Sequence, residues 1–129
     1  MNWYKIANKI ISVYHGSKTP IEIFDNTKQI SGFYPGFYTS YDKNKAQQWG
    51  QFIYEFKINP SLFFPLTLDN MKQIDVLAAK NGFGQTSGSG YPIAKYLKSL
   101  GYKGINRGTE YILFDPTEFT VEPPIKKSL

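Results

Sequence analysis

The segment Gln51-Phe-Ile-Tyr-Glu-Phe-Lys-Ile58 sets Phe52, Tyr54, Phe56 and Ile58 on one parity and Ile53, Glu55 and Lys57 on the other. A two-residue period fits a strand with a buried face, whereas a helix repeats its apolar stripe every three to four residues. Asn59-Pro60 ends the run, because proline brings no amide hydrogen to a ladder. The chain is thereby committed to a sheet, and its other short runs supply the remaining strands.

Ile10-Ile-Ser-Val-Tyr14 is β-branched and aromatic and reads as a first strand that stops at His15-Gly16, delivering His15 at its end. A loop with turn residues Pro20, Asp25, Asn26 and Gly32 leads to a strand over Gly36-Phe-Tyr-Thr-Ser40, followed by a short helix capped by Asp42 and closed by Gly50. Leu62 to Leu68 reads as a partly edge strand because of Pro65. Helical spacing predicts helices over Asp69 to Ala79 and Tyr91 to Leu100, with Gly101 as C-cap. Between them, Asn81 to Gly90 holds four glycines in ten residues and reads as a mobile loop. Lys103 to Asn106, Glu110 to Phe114 and Phe119 to Val121 close the chain as short strands. The sum is an α+β fold of short antiparallel strands with few, peripheral helices. At 129 residues, with no linker or repeat, residues 1–129 are expected to form a single domain.

Composition narrows the chemistry. With 41% hydrophobic and 17% aromatic residues the chain can bury a core, which excludes disorder. The absence of cysteine and the single histidine leave no disulfide framework and no expected metal site. A net charge of +5 favours nucleic acid, anionic nucleotides or acidic protein faces as partners. The opening MNWYKIANKIISVYH is interrupted by Lys5, Asn8 and Lys9 and is followed by no cleavage site, and the uncharged runs are too short for a bilayer. The expectation is a cytoplasmic protein without membrane association, including the host cytoplasm after delivery.

A phosphate-binding P-loop, a dinucleotide fingerprint and a nucleophile elbow are all missing. What remains is His15-Gly16-Ser17 after the first strand, Gly36-Phe37-Tyr38 on the second, Trp49 eleven residues beyond Tyr38, and Glu110 opening a late strand. Singly, each is more often structural than functional.

In this order, Tyr-His-Gly-Ser at 14–17, Gly-Phe-Tyr-Thr-Ser at 36–40, the Tyr38-to-Trp49 spacing and Glu-Tyr-Ile-Leu-Phe-Asp at 110–115 resemble the His–Tyr–Glu ADP-ribosyltransferases, the group of diphtheria toxin and the poly(ADP-ribose) polymerases. The resemblance runs over about residues 10–121, and Gly101-Tyr-Lys-Gly-Ile105 is similar to a phrase in small bacterial, phage and mobile-element transferase domains.

The resemblance implies an ADP-ribosyltransferase fold in which two small, mostly antiparallel sheets form an NAD cleft. It implies His15, Tyr38 and Glu110 as catalytic residues, and His15, Gly16, Ser17, Tyr38 and Trp49 as the binders of NAD, which serves as co-substrate without a metal. Nicotinamide would lie between Tyr38 and Trp49, where electron-rich ring faces suit a flat cation. Gly16 would hold its carboxamide through the backbone, His15 would bond a ribose hydroxyl of the adenosine half, and Glu110 would bond the 2′-hydroxyl of the nicotinamide ribose and stabilise the charge that develops as nicotinamide leaves. Asn106-Arg107-Gly108-Thr109 would shape the acceptor pocket.

Three departures from the family pattern carry consequences. Gly108 stands where related toxins that modify arginine, asparagine or other protein acceptors have Glu or Gln, which disfavours arginine as acceptor; Ala46 replaces a serine that helps hold nicotinamide; Trp49 replaces a tyrosine. The short loop before Glu110 favours transfer of a single ADP-ribose. The expected activity is therefore mono-ADP-ribosylation of a protein or nucleic acid by a toxin or a phage or mobile-element host-modifying protein, with a neutralising antitoxin or immunity protein as a conceivable partner. An NAD glycohydrolase and a non-catalytic NAD- or nucleic-acid-binding module on the same fold stand as alternatives. An NAD-dependent 2′-phosphotransferase ranks below them, because it would want more His and Arg than His15 and Arg107.

Overall fold

The computed structural model describes residues 9–21, 34–85 and 90–126. The predicted turn residues Asp25, Asn26 and Gly32, and residues 86–89 of the glycine-rich loop, lie outside the described residues. In chain order the elements are β1 (Ile11–Ser17), β2 (Phe37–Ser40), α1 (Lys43–Gln47), β3 (Phe52–Ile58), β4 (Phe63–Pro65), α2 (Met71–Lys80), α3 (Tyr91–Ser99), β5 (Gly104–Asn106), β6 (Glu110–Leu113) and β7 (Thr120–Lys126). The α+β class expected from the sequence is the class observed.

The strands form one curled seven-stranded sheet in the order β4-β5-β6-β2-β1-β3-β7. Every neighbouring pair is antiparallel except β4 with β5. The two separate small sheets expected are thus one sheet with a seam: β1 matches β3 through seven register pairs, from Ile11↔Ile58 to Ser17↔Phe52, but meets β2 at Tyr14↔Ser40 alone.

Two apolar clusters clothe the sheet. Ile112 belongs to one, with Ile93, Ala94 and Leu97 of α3, Ile74 of α2 and Ile105 of β5; its neighbours Tyr111 and Leu113 belong to the other, with Val13, Phe37, Tyr54 and Phe56. Consecutive side chains of a strand point to opposite faces, so β6 anchors both clusters. Burying each large side chain stabilises the fold by about 1.5–3 kcal/mol, which fixes the position of Glu110 at the strand's open end.

Several boundaries move. The first strand runs through His15 and Gly16 to Ser17, because its pairing with β3 continues to Phe52. The second helix starts at Met71 after Asn70, since the Asn70 and Thr67 side chains close a turn on each other's amides at 2.8 and 3.2 Å. The last strand extends to Lys126 across Pro123 and Pro124. β7 lies at the sheet's edge, where a missing amide hydrogen costs no inner ladder bond.

Candidate active site

Beyond Tyr14↔Ser40 the seam opens, and the space between β1, β2, the start of β6 and α1 is a cleft of about 790 Å³. His15, Gly16, Ser17, Tyr38, Trp49 and Glu110 all line it, whereas of the expected acceptor residues 106–109 Thr109 alone is in its wall. Tyr14, Lys18, Thr39, Ser40, Lys45, Ala46, Gln48 and Thr109 complete the wall.

His15 sits at the opening of the seam. Its Nδ1 lies 2.7 Å from the Tyr38 carbonyl, and its ring packs on Phe37 at 4.1 Å between centroids. A carbonyl only accepts, so Nδ1 carries the hydrogen and the neutral ring keeps Nε2 as an acceptor. Burial lowers the His15 pKa from 6.5, partly opposed by the bond to the Tyr38 carbonyl.

Tyr38 is held at its far end: its hydroxyl donates to the Tyr34 carbonyl at 2.7 Å and accepts from the Tyr34 amide at 3.0 Å. Burial pushes its pKa up, the bond to Tyr34 opposes that, and the nearby Glu110 charge adds to the rise. With the hydroxyl so occupied, Tyr38 offers the cleft its ring.

Glu110 lies opposite Ser40 on β2, which in turn lies opposite Tyr14 on β1. The Thr39 hydroxyl, buried, donates to the Tyr111 carbonyl at 2.8 Å and locks β6 to β2 beside it. The turn before Glu110 is equally fixed: Gly108 has φ +96°, its amide donates to the Asn106 side chain at 2.8 Å, and the Arg107 amide donates to the Glu110 carbonyl at 2.8 Å. Arg107 itself lies outside the cleft wall, with its guanidinium 5.2 Å from the Tyr34 ring centroid.

Trp49 arrives from the other side. Asp42 caps α1 by accepting from the Asn44 amide at 2.9 Å, and the turn after the helix presents Trp49 with 70% of its surface exposed. A large aromatic side chain left this bare at a cleft mouth suits a ligand ring.

Two of the expected site residues also serve the fold. A Cβ on Gly16 would overlap the Ala46 carbonyl, so the glycine is required where α1 meets β1, independently of any ligand. Ser17 donates its hydroxyl to the Thr19 carbonyl at 2.6 Å and accepts from the Thr19 amide at 3.3 Å, which makes it a turn former at the cleft wall. Lys45, also in the wall, was missed from the sequence; it lies on α1, whereas Trp49 follows in the turn beyond the helix.

No protein-family model matches the chain, and a search of curated proteins returned no match. A solved structure of similar fold is described as the crystal structure of an anti-CRISPR protein; the likeness has a TM-score of 0.51, covers 92% of this chain and 98% of that one, and comes with 17% sequence identity. At that identity the likeness is one of fold.

Proposed function

We propose that the chain is a mono-ADP-ribosyltransferase that uses NAD as substrate, on the ADP-ribosyltransferase fold. The observation that carries the proposal is the convergence of His15 of β1, Tyr38 of β2 and Glu110 of β6, far apart in sequence, on one cleft beside an exposed Trp49. The cleft volume falls within the about 300–1,000 Å³ usual for small-molecule sites.

NAD brings a glycosidic C–N bond to a cationic leaving group. The Tyr38 and Trp49 rings would grip that flat cation. His15 would accept a bond from a ribose hydroxyl through Nε2, its orientation already set by the Tyr38 carbonyl. Glu110 would accept from the 2′-hydroxyl and oppose the positive charge that grows on the ribose as the C–N electron pair passes to the nicotinamide nitrogen. An acceptor lone pair then forms the new bond to the anomeric carbon and the acceptor loses a proton. The tight turn at 107–109 leaves the open end of β6 unencumbered, which suits one transfer and not a growing polymer. Similarity in fold to an anti-CRISPR protein suits a phage or mobile-element setting with a bacterial protein or nucleic acid as acceptor.

The test is incubation with labelled NAD, with and without bacterial lysate, following nicotinamide release and label in macromolecules. Glu110→Gln should lose about 10²-fold or more in turnover while keeping its unfolding transition. Wild-type turnover by folded Glu110→Gln would sink the mechanism, and free ADP-ribose without labelled macromolecules would make water the acceptor and the chain an NAD glycohydrolase.

A further inference from the structure

The cleft wall carries both signs of charge. Glu110 is the carboxylate in its wall, at the end marked by the row Tyr14, Ser40 and Glu110. The cations of the wall are Lys18 and Lys45. Lys18 follows β1, four residues from Tyr14, about 13 Å at the rise of a strand. Lys45 adjoins Ala46, whose carbonyl is seated against Gly16, two residues before Lys18. His15 between them is kept neutral by burial and adds no charge.

Neither lysine is spent on the protein itself. Among the described residues the ion pairs are Lys57 with Glu55 at 2.6 Å and Lys103 with Glu118 at 3.0 Å, both away from the cleft. Two ammonium groups on a shared wall, without a carboxylate between them, attract a compact anion with more than one charge. Lysine supplies point charges with rotatable donors, which suits phosphate oxygens.

We infer that Lys18 and Lys45 form the subsite for the diphosphate of the dinucleotide, and so orient it with its nicotinamide end toward Glu110. This rests on the transferase reading for the identity of the ligand and deepens it by naming the residues that set the ligand's direction. They are substrate-binding residues, distinct from the stacking rings and from the carboxylate.

The probe is ADP-ribose, which keeps the diphosphate and lacks nicotinamide, titrated calorimetrically at low and high salt. Lys18→Ala and Lys45→Ala should each weaken binding about tenfold, as expected for losing a charge-assisted bond, and the double variant should also lose most of the salt dependence of the wild type. Lys18→Arg and Lys45→Arg should recover most of the affinity, and unfolding curves should stay as in the wild type. Lys43→Ala, outside this cleft's wall, should bind as the wild type does. Unchanged ADP-ribose affinity in the double variant would overturn the diphosphate subsite while nicotinamide release from NAD by the wild type kept the transferase reading intact. Lysine-dependent ADP-ribose binding without nicotinamide release would do the reverse, and absence of both would end both.

Discussion

His15 is neutral because protonation would put a charge in a desolvated seam, against Phe37 and with its Nδ1 hydrogen already given to the Tyr38 carbonyl. The unfolded chain takes up a proton near pH 6.5, and the folded chain does so only at lower pH. The stability due to neutral His15 is therefore fully present above pH 6.5 and is lost as pH falls through the lowered native value. Between about pH 7.5 and about pH 5.5, above the carboxylate range, urea midpoints should fall for the wild type and fall less for His15→Gln. Equal slopes in the two proteins would show that His15 is not the group responsible. At this scale the sequence was most informative about position: His15, Tyr38, Trp49 and Glu110 were singled out together by the family resemblance, and all four line the cleft. It was least informative about what each atom does, since nothing in Tyr-His-Gly-Ser says that the serine hydroxyl turns back to Thr19 or that the glycine makes room for Ala46.

Between elements, the decisive contact is α1 on β1. The helix is five residues long, too short to hold itself, and depends on its Asp42 cap and on backbone approach at two glycines, Gly16 against Ala46 and Gly50 against Ser17. Gly16→Ala should therefore cost about 1–3 kcal/mol, the range for forcing atoms into a packed site, and should also weaken ADP-ribose binding, because Lys45 and Trp49 ride on the displaced helix and its turn. Urea denaturation paired with the calorimetric titration checks this, and wild-type values in both would mean that α1 is not seated as described. The long elements were legible because their periods are local: the alternation over 52–58 and the helical spacing over 71–80 and 91–99 need no knowledge of neighbours. Strand ends were not, because β1 continues through a glycine by virtue of β3, and β7 crosses two prolines at an edge where its register against β3 shifts.

For the molecule as a whole, the sheet is one ladder with a weak rung. Its halves, β4-β5-β6-β2 and β1-β3-β7, are each paired along their strands and are joined through Tyr14↔Ser40. Backbone groups that face each other across this seam should exchange hydrogen faster than those of the β1–β3 ladder, and ADP-ribose should slow them, as measured by amide exchange. Uniform protection across the sheet would contradict the seam. No local pattern could reveal this feature, since it depends on a register between strands that leave each other after one pair; the expectation of two sheets came with the family resemblance and from no pattern of residues. The turn from β5 to β6 carries one more consequence. Its shape is held by the Asn106 side chain, the left-handed Gly108 and backbone bonds from Arg107 and to Thr109, whereas the Arg107 and Thr109 side chains are exposed and take no part in those bonds. Natural variation can therefore rewrite two side chains next to Glu110 without disturbing the strand that carries it. Substitution there would reshape the rim of the cleft, where Thr109 stands, while the strand that carries Glu110 keeps its place.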